Sequence, residues 1–211
     1  MRIDVISDFV CPWCYLGVHR LVRAIAMRAG YGDPPPELVW HGFLLNPDTP
    51  AEGEPYRAFM ARKFGSDAAV DALHRRLETE AARDGLAFCF GDMAVRPSTL
   101  RAHALVLRLQ AQRQDTLALV QGIFRAHFVE GRNIGLADEL EAIAQVAGVW
   151  AAPLRSALAA TPVRADLDGF ARAVGATAVP VFIVDRKLAV SGAQPPSVLA
   201  QVLAGAGGER A

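Results

Sequence analysis

Sheet-forming pattern occurs near the two ends of this chain, with a long helical stretch between them. Arg2 to Ser7 sets apolar Ile3 and Val5 against polar neighbours, the period of a half-buried strand. From Pro12 the apolar residues Leu16, Leu21, Val22 and Ile25 fall at helical spacing, and Gly30 ends the run. The triple proline at 34–36 is a rigid loop, Leu38-Val39-Trp40 a second strand, and Asn46-Pro47 its closing turn. After Gly175 the strand pattern returns as a hairpin: Val181 to Val184, a turn at Asp185-Arg186-Lys187, then Leu188 to Val190. Pro195-Pro196 leads into a last helix through Val198, Leu199, Val202 and Leu203. The two ends read as β-α-β and α-β-β-α, and they must meet for the sheet to close.

From about Pro55 to Val174 the pattern is helical nearly throughout. Ser66 caps a helix carrying Val70, Leu73 and Leu77. Ser98 or Thr99 caps another, with Leu100, His103, Ala104 and Leu107 on one face. Leu117, Val120, Phe124 and Phe128 mark a third face, and Leu136, Leu140, Ile143 and Ala147 a fourth. Thr161-Pro162 opens a helix through Leu167, Phe170 and Val174. The expected division is a sheet domain from 1–50 and 175–211, with the helix 162–174 packed on it, and a helical insertion domain over 51–161.

Hydrophobic residues make up 52% of the 211-residue chain and charged residues 21%, an ordinary soluble globular composition. Lys+Arg and Asp+Glu are equal at 22 each, so no net basic field draws the chain to nucleic acid or an anionic membrane. No apolar run reaches the ~18 residues of a spanning helix. The strand pattern also begins at once, with no cationic and apolar leader before it. The expected location is therefore cytoplasmic, where stable structural disulfides are rare.

That expectation bears on Cys11-Pro12-Trp13-Cys14, a C-x-x-C pair at the junction of the first strand and helix. A structural zinc site needs about four ligands. Neither Cys89 nor any of the five histidines supplies a second matching pair. An odd count of three cysteines also argues against a staple. Redox work suits the position. Pro12 fits the first helical position, which leaves Cys11 at the N-cap, where unpaired N–H groups and the helix dipole favour a thiolate. Cys14, one turn further in, is the more buried of the two. These roles make Cys11 the nucleophile and Cys14 the resolving thiol. The second part of the site is expected from Val179-Pro180, a proline placed just before a strand, where it is tolerated.

Taken in order, the strand, C-P-W-C, helix, helical insertion and V-P hairpin resemble the DsbA-like branch of the thioredoxin superfamily, most closely its cytoplasmic FrnE-type members. The resemblance rests on D-F-V-C-P-W-C-Y-L-G at 8–17, L-N-P at 45–47, H-F-V-E-G-R-N-I at 127–134 and V-P-V-F-I-V-D-R-K-L-A-V-S-G-A-Q at 179–194. It implies an α/β, thioredoxin-like fold with a large all-helical insertion between the βαβ and ββα halves. It also implies a cis Val179-Pro180 bond lying against the dithiol, with exposed backbone that pairs with a bound substrate. Kappa-class glutathione transferases and 2-hydroxychromene-2-carboxylate isomerases share this fold but carry serine in place of the first cysteine. They also carry an Asp-Arg-like pair after the hairpin, where this chain has Ser191-Gly192-Ala193-Gln194.

The sequence thus points to a dithiol–disulfide oxidoreductase with catalytic Cys11 and Cys14 and substrate-binding Pro12, Trp13, Val179 and Pro180. It needs no metal and no organic cofactor, although glutathione is a candidate co-substrate. Its partner is a disulfide- or thiol-bearing protein or small molecule, and the chain is a monomer or a homodimer. The alternatives are a glutathione-dependent isomerase or transferase on small aromatic compounds, and a non-catalytic thiol-bearing binding or chaperone-like module. Among other residues, Trp13 is expected to face substrate and His103 to be a satisfied core histidine. Cys89, between Phe88 and Phe90, is expected to be an inert buried thiol. Asp8 reads equally as a thiolate-tuning group or a turn residue, and Tyr15 as a hydrogen-bonding or a packing residue. Nothing in the sequence places His19 or His41 beside the sulfur.

Overall fold

The computed structural model describes residues 1–149, 154, 158 and 164–207. Strand β1 (Arg2–Ser7) is central to a four-stranded sheet ordered β2-β1-β5-β6, where β2 is Glu37–Gly42, β5 Val181–Val184 and β6 Leu188–Ser191. Ile3, Val5 and Ile6 of β1 are fully buried. β1 runs parallel to β2, with Val5 opposite Trp40, and antiparallel to β5, with Val5 opposite Phe182. The parallel pair is connected through helix α1 (Pro12–Ala29), because parallel neighbours need a crossover rather than a tight turn. The β5–β6 hairpin turns through Asp185 and Arg186, both at positive φ. The two ends of the chain therefore share one sheet, as their patterns require.

Between β2 and β5 lie α2 (Tyr56–Phe64), α3 (Asp67–Ala82), α4 (Leu100–Ala111), α5 (Leu117–Phe128), α6 (Ala137–Val146) and α7 (Arg164–Ala173). Helix α8 (Pro196–Gly207) ends the described chain and packs against α1. Ser66 caps α3 as expected, its hydroxyl accepting from the Ala69 N–H at 3.2 Å. Helix α7 packs on β2, with Phe170 stacked on His41 at 3.6 Å between ring centroids. Its expected opening, Thr161-Pro162, lies outside the described residues.

Two features depart from the expectation. The stretch between the sheet halves is not wholly helical, because Glu54–Pro55 (β3) and Val95–Arg96 (β4) pair as a second, antiparallel sheet. Two-residue strands are too short to leave a periodic signal. The face of α4 is also rotated. Ala102, Leu105, Val106 and Leu109 are buried with His103 and Ala104, whereas Leu100 and Leu107 are half-buried. Apolar residues occupy most of that helix, so spacing alone admits more than one stripe.

One hydrophobic cluster runs from the sheet into the inserted helices. Phe124 and Phe128 of α5 are fully buried, and Tyr15 of α1 stacks on both, at 5.6 and 5.7 Å. Burial of each such ring is worth about 1.5–3 kcal/mol. Arg20 provides a polar tie at the same seam. It is buried, and it donates to Asp84 Oδ2 at 2.6 Å, Glu80 Oε1 at 2.7 Å and the Ala193 carbonyl at 2.6 Å. A single guanidinium thereby joins α1, α3 and the loop after β6.

Candidate active site

Cys11 is the N-cap of α1 in extended geometry, with Pro12 in the first helical turn. The missing N–H of Pro12 costs the helix nothing, because that group would have no intrahelical partner. The Cys11 carbonyl accepts from the Cys14 and Tyr15 N–H groups at 3.0 and 3.2 Å, which fixes the two cysteines one turn apart. Both thiols are free, and both are buried. Their surroundings differ. Cys11 lines a cavity of about 310 Å³, whereas Cys14 has no exposed surface and does not line it. Burial pushes the Cys14 thiol well above its ordinary pKa, and its hydrogen bond to Cys11 acts in the same direction.

The Val179-Pro180 bond is cis, and the Val179 carbonyl lies 3.9 Å from Cys11 Sγ. The Gly192 N–H donates to the Pro180 carbonyl at 2.8 Å, so S-G-A-Q braces the proline loop. Gly17 admits that loop. A Cβ at residue 17 would stand 2.9 Å from Pro180 Cγ and 3.2 Å from Phe182 Cζ. Pro12 and Trp13 line the cavity beside Cys11, and the Arg76 guanidinium lies 5.8 Å from the centroid of the Trp13 ring. All six residues singled out from the sequence therefore converge on the cysteine end of α1.

Asp8 lies behind the pair, fully buried. Its carbonyl accepts from the Cys11 N–H at 3.0 Å, and Oδ2 accepts from the Leu45 N–H at 2.9 Å. Oδ1 is 3.1 Å from His103 Nε2. His103 is thus a satisfied core histidine, but its partner is the carboxylate that holds the L-N-P loop, on the residue whose backbone carbonyl holds the cysteine turn. Tyr15 packs among Phe88, Phe124 and Phe128. His19 contacts the Asp84 carbonyl and His41 the buried Asp4, both away from the sulfurs. Cys89 is half-buried rather than buried. It stands at the N-cap of a 3-10 turn over Phe90–Asp92.

The cavity extends from Cys11 across to α2, α3 and the end of α5. Its wall is mostly aromatic and aliphatic, including Phe59, Met60, Phe90 and Phe128. Tyr56, His74, Arg96 and His127 supply polar groups that the sequence reading did not assign. In the sequence, His127 and Gly131 stand out only as part of the pattern H-F-V-E-G-R-N-I. Gly131 sits at φ +65, where a Cβ would come within 2.7 Å of the Asp92 carbonyl oxygen. Among the described residues no group of three or more His, Cys, Asp or Glu could hold a metal ion.

The family model for the DSBA-like thioredoxin domain matches residues 2–204. The chain belongs to the DsbA-like thioredoxin family. A solved probable DsbA oxidoreductase from Streptomyces coelicolor is 34% identical, with a TM-score of 0.84 over 100% of this chain and 92% of that one. The cytosolic disulfide reductase DsbM from Pseudomonas aeruginosa, solved with GSH, is 20% identical, with a TM-score of 0.65 over 97% of this chain and 98% of that one. A solved 2-hydroxychromene-2-carboxylate isomerase is 18% identical, with a TM-score of 0.64 over 98% and 95% of the two chains. These last two share the fold at an identity too low to transfer chemistry. No helix among the described residues is long and apolar enough to cross a membrane.

Proposed function

We propose that this DsbA-like protein is a dithiol–disulfide oxidoreductase working through Cys11 and Cys14. The observation that best supports this is the unequal setting of the two free thiols. One lines a cavity at a helix N-terminus beside the Val179 carbonyl, and the other is sealed one turn behind it. Negative charge developing on Cys11 Sγ faces the positive end of the α1 dipole.

The Cys11 thiolate attacks one sulfur of a substrate disulfide. The substrate S–S bond breaks, a Cys11–substrate disulfide forms, and the other substrate thiolate leaves and takes a proton from water. Cys14 then gives up its proton and attacks Cys11 Sγ. This releases the second substrate thiolate and leaves a Cys11–Cys14 disulfide, with two electrons passed to the substrate. The burial that raises the Cys14 pKa keeps that thiol protonated until the mixed disulfide stands next to it. The reverse sequence oxidises a dithiol. Neither direction requires a metal or an organic cofactor, and the Val179 and Pro180 backbone with Trp13 holds the partner.

Cys14→Ser should accumulate a stable mixed disulfide on Cys11 when treated with a model aromatic disulfide, and Cys11→Ser should form none. Full exchange activity in Cys11→Ser would falsify this mechanism. The aromatic wall beside Cys11 favours a second reading, glutathione-dependent isomerisation or transfer on a small aromatic compound. That reading requires turnover with glutathione that survives Cys14→Ser.

A further inference from the structure

The cavity beside Cys11 is one-sided in charge. None of its lining residues is an aspartate or a glutamate, whereas Lys63 and Arg96 both line it. Arg96 is already matched. It is buried, its Nη2 donates to Glu54 Oε1 at 3.0 Å, and its guanidinium carbon lies 3.9 Å from the centroid of the Phe59 ring. Glu54 Oε2 takes Arg62 at 2.7 Å, so an arginine holds each oxygen of that carboxylate.

Lys63 is placed differently. Tyr56, Phe59, Met60 and Lys63 stand at i, i+3, i+4 and i+7 of α2, and all four line the cavity. The last position of an otherwise aromatic and apolar stripe is thus a cation. Its Nζ donates to Asn46 Oδ1 at 3.3 Å and lies 5.6 Å from the Phe59 centroid. Asn46 and Phe59 are themselves lining residues, so they hold the ammonium at the cavity rim. Asn46 is a neutral amide, and no carboxylate pairs with Lys63 among the described residues. Cys11, also on the cavity wall, is the N-cap of α1, where the helix dipole is positive. An unmatched cation above a low-dielectric wall concentrates anions at that wall.

We propose that this cavity selects a compact disulfide with an aromatic body and a carboxylate, its sulfur meeting Cys11 and its carboxylate pairing with Lys63 Nζ. The aromatic and aliphatic wall receives the ring, and a volume of about 310 Å³ lies in the range of small-molecule sites. A neutral ring fills the same wall but leaves the Lys63 charge unmatched. The inference rests on the exchange reading above and names its substrate class. The chemistry is the same. The Cys11 thiolate takes one half of the disulfide and the other half leaves as an arylthiolate. Cys14 then loses its proton to water and displaces the bound half as a second arylthiolate. Two equivalents of an external thiol, oxidised to their own disulfide, restore the dithiol.

The test compares 5,5′-dithiobis(2-nitrobenzoate) with the neutral 5,5′-dithiobis(2-nitrobenzamide) on the reduced, intact protein, by the rate of arylthiolate release. Each rate is divided by that of the same disulfide with free mercaptoethanol, which removes the difference in intrinsic reactivity. The carboxylate should be preferred about five- to tenfold, between an exposed ion pair and a buried charged hydrogen bond. Lys63 is exposed, so its replacement leaves the core intact. Lys63→Met should bring the ratio close to one, and Lys63→Glu should take it below one. Arg76, 5.8 Å from the Trp13 ring but not among the lining residues, separates a local pair from a general field. Arg76→Met should keep the preference whatever it does to the two rates. A ratio near one in the unaltered protein, a preference that persists in Lys63→Met, or an equal loss in Arg76→Met overturns the proposal while exchange itself stands. If neither disulfide reacts with Cys11, the exchange reading fails and the proposal falls with it.

Discussion

Gly17 sits two residues after Tyr15 in the cysteine helix, and its lack of a side chain lets the proline loop reach Cys11. Its φ is ordinary, so the requirement is for space rather than for an unusual backbone. Pro180 is a rigid ring and cannot turn aside as a flexible side chain would. Gly17→Ala should therefore destabilise the protein by about 1–3 kcal/mol, the range for overpacking a filled site. It should also slow disulfide exchange by moving the Val179 carbonyl off Cys11. Denaturant unfolding and a stopped-flow exchange assay check the two parts, and a variant with unchanged rate would show that the loop is not needed for exchange. His127 makes a pH prediction at the same scale. Its pKa is about 4 folded against 6.5 ordinarily, so between those values the unfolded chain holds more protons. Its contribution to stability is complete above about pH 6.5 and is lost as pH falls towards 4. Urea unfolding at pH 7 and 4.5 should show His127→Gln losing about 2–3 kcal/mol less than the unaltered protein over that interval. Equal losses would mean that His127 is not held neutral by burial.

Helix α1 carries most of what was legible in the sequence. The strand before it, the proline at its start and the cysteine spacing follow from periodicity and capping alone, and the structure keeps them. What the sequence could not give is the set of long-range polar ties, because these join residues far apart in the chain. Asp8 meets His103 on α4, and Arg20 meets Glu80 and Asp84 around the end of α3. Local spacing carries no trace of such pairs. The same limit explains why the sequence does not reveal that His127 is buried. Arg20 gives the prediction for this scale. Removing it leaves Glu80 with its exposed Arg83 pair and Asp84 with Arg23. Arg20→Ala should cost about 3 kcal/mol, as expected when one partner of a buried ion pair is lost. It should also loosen the loop that braces Pro180, so hydrogen exchange at the Gly192 N–H should accelerate more than in β1. Uniform acceleration would show that Arg20 stabilises the whole fold rather than that junction.

Across the molecule, one sheet built from both ends of the chain brings Cys11 and Val179 together, and the inserted helices roof the sulfur with an aromatic cavity. The strand–helix order implied this arrangement, since neither half closes a sheet alone. The small β3–β4 sheet and the rotated face of α4 did not emerge, because one is too short and the other too uniformly apolar for periodicity to resolve. A DsbA-like fold does not by itself name the chemistry, so the thiols have to decide the function. The most direct measurement is a redox titration of the intact protein in glutathione buffers, with acid-quenched mass analysis of each step. The account predicts one two-electron transition in which Cys11 and Cys14 together lose two hydrogens and form an internal disulfide. Glutathione retained on Cys11 with Cys14 still reduced across the whole range would contradict it.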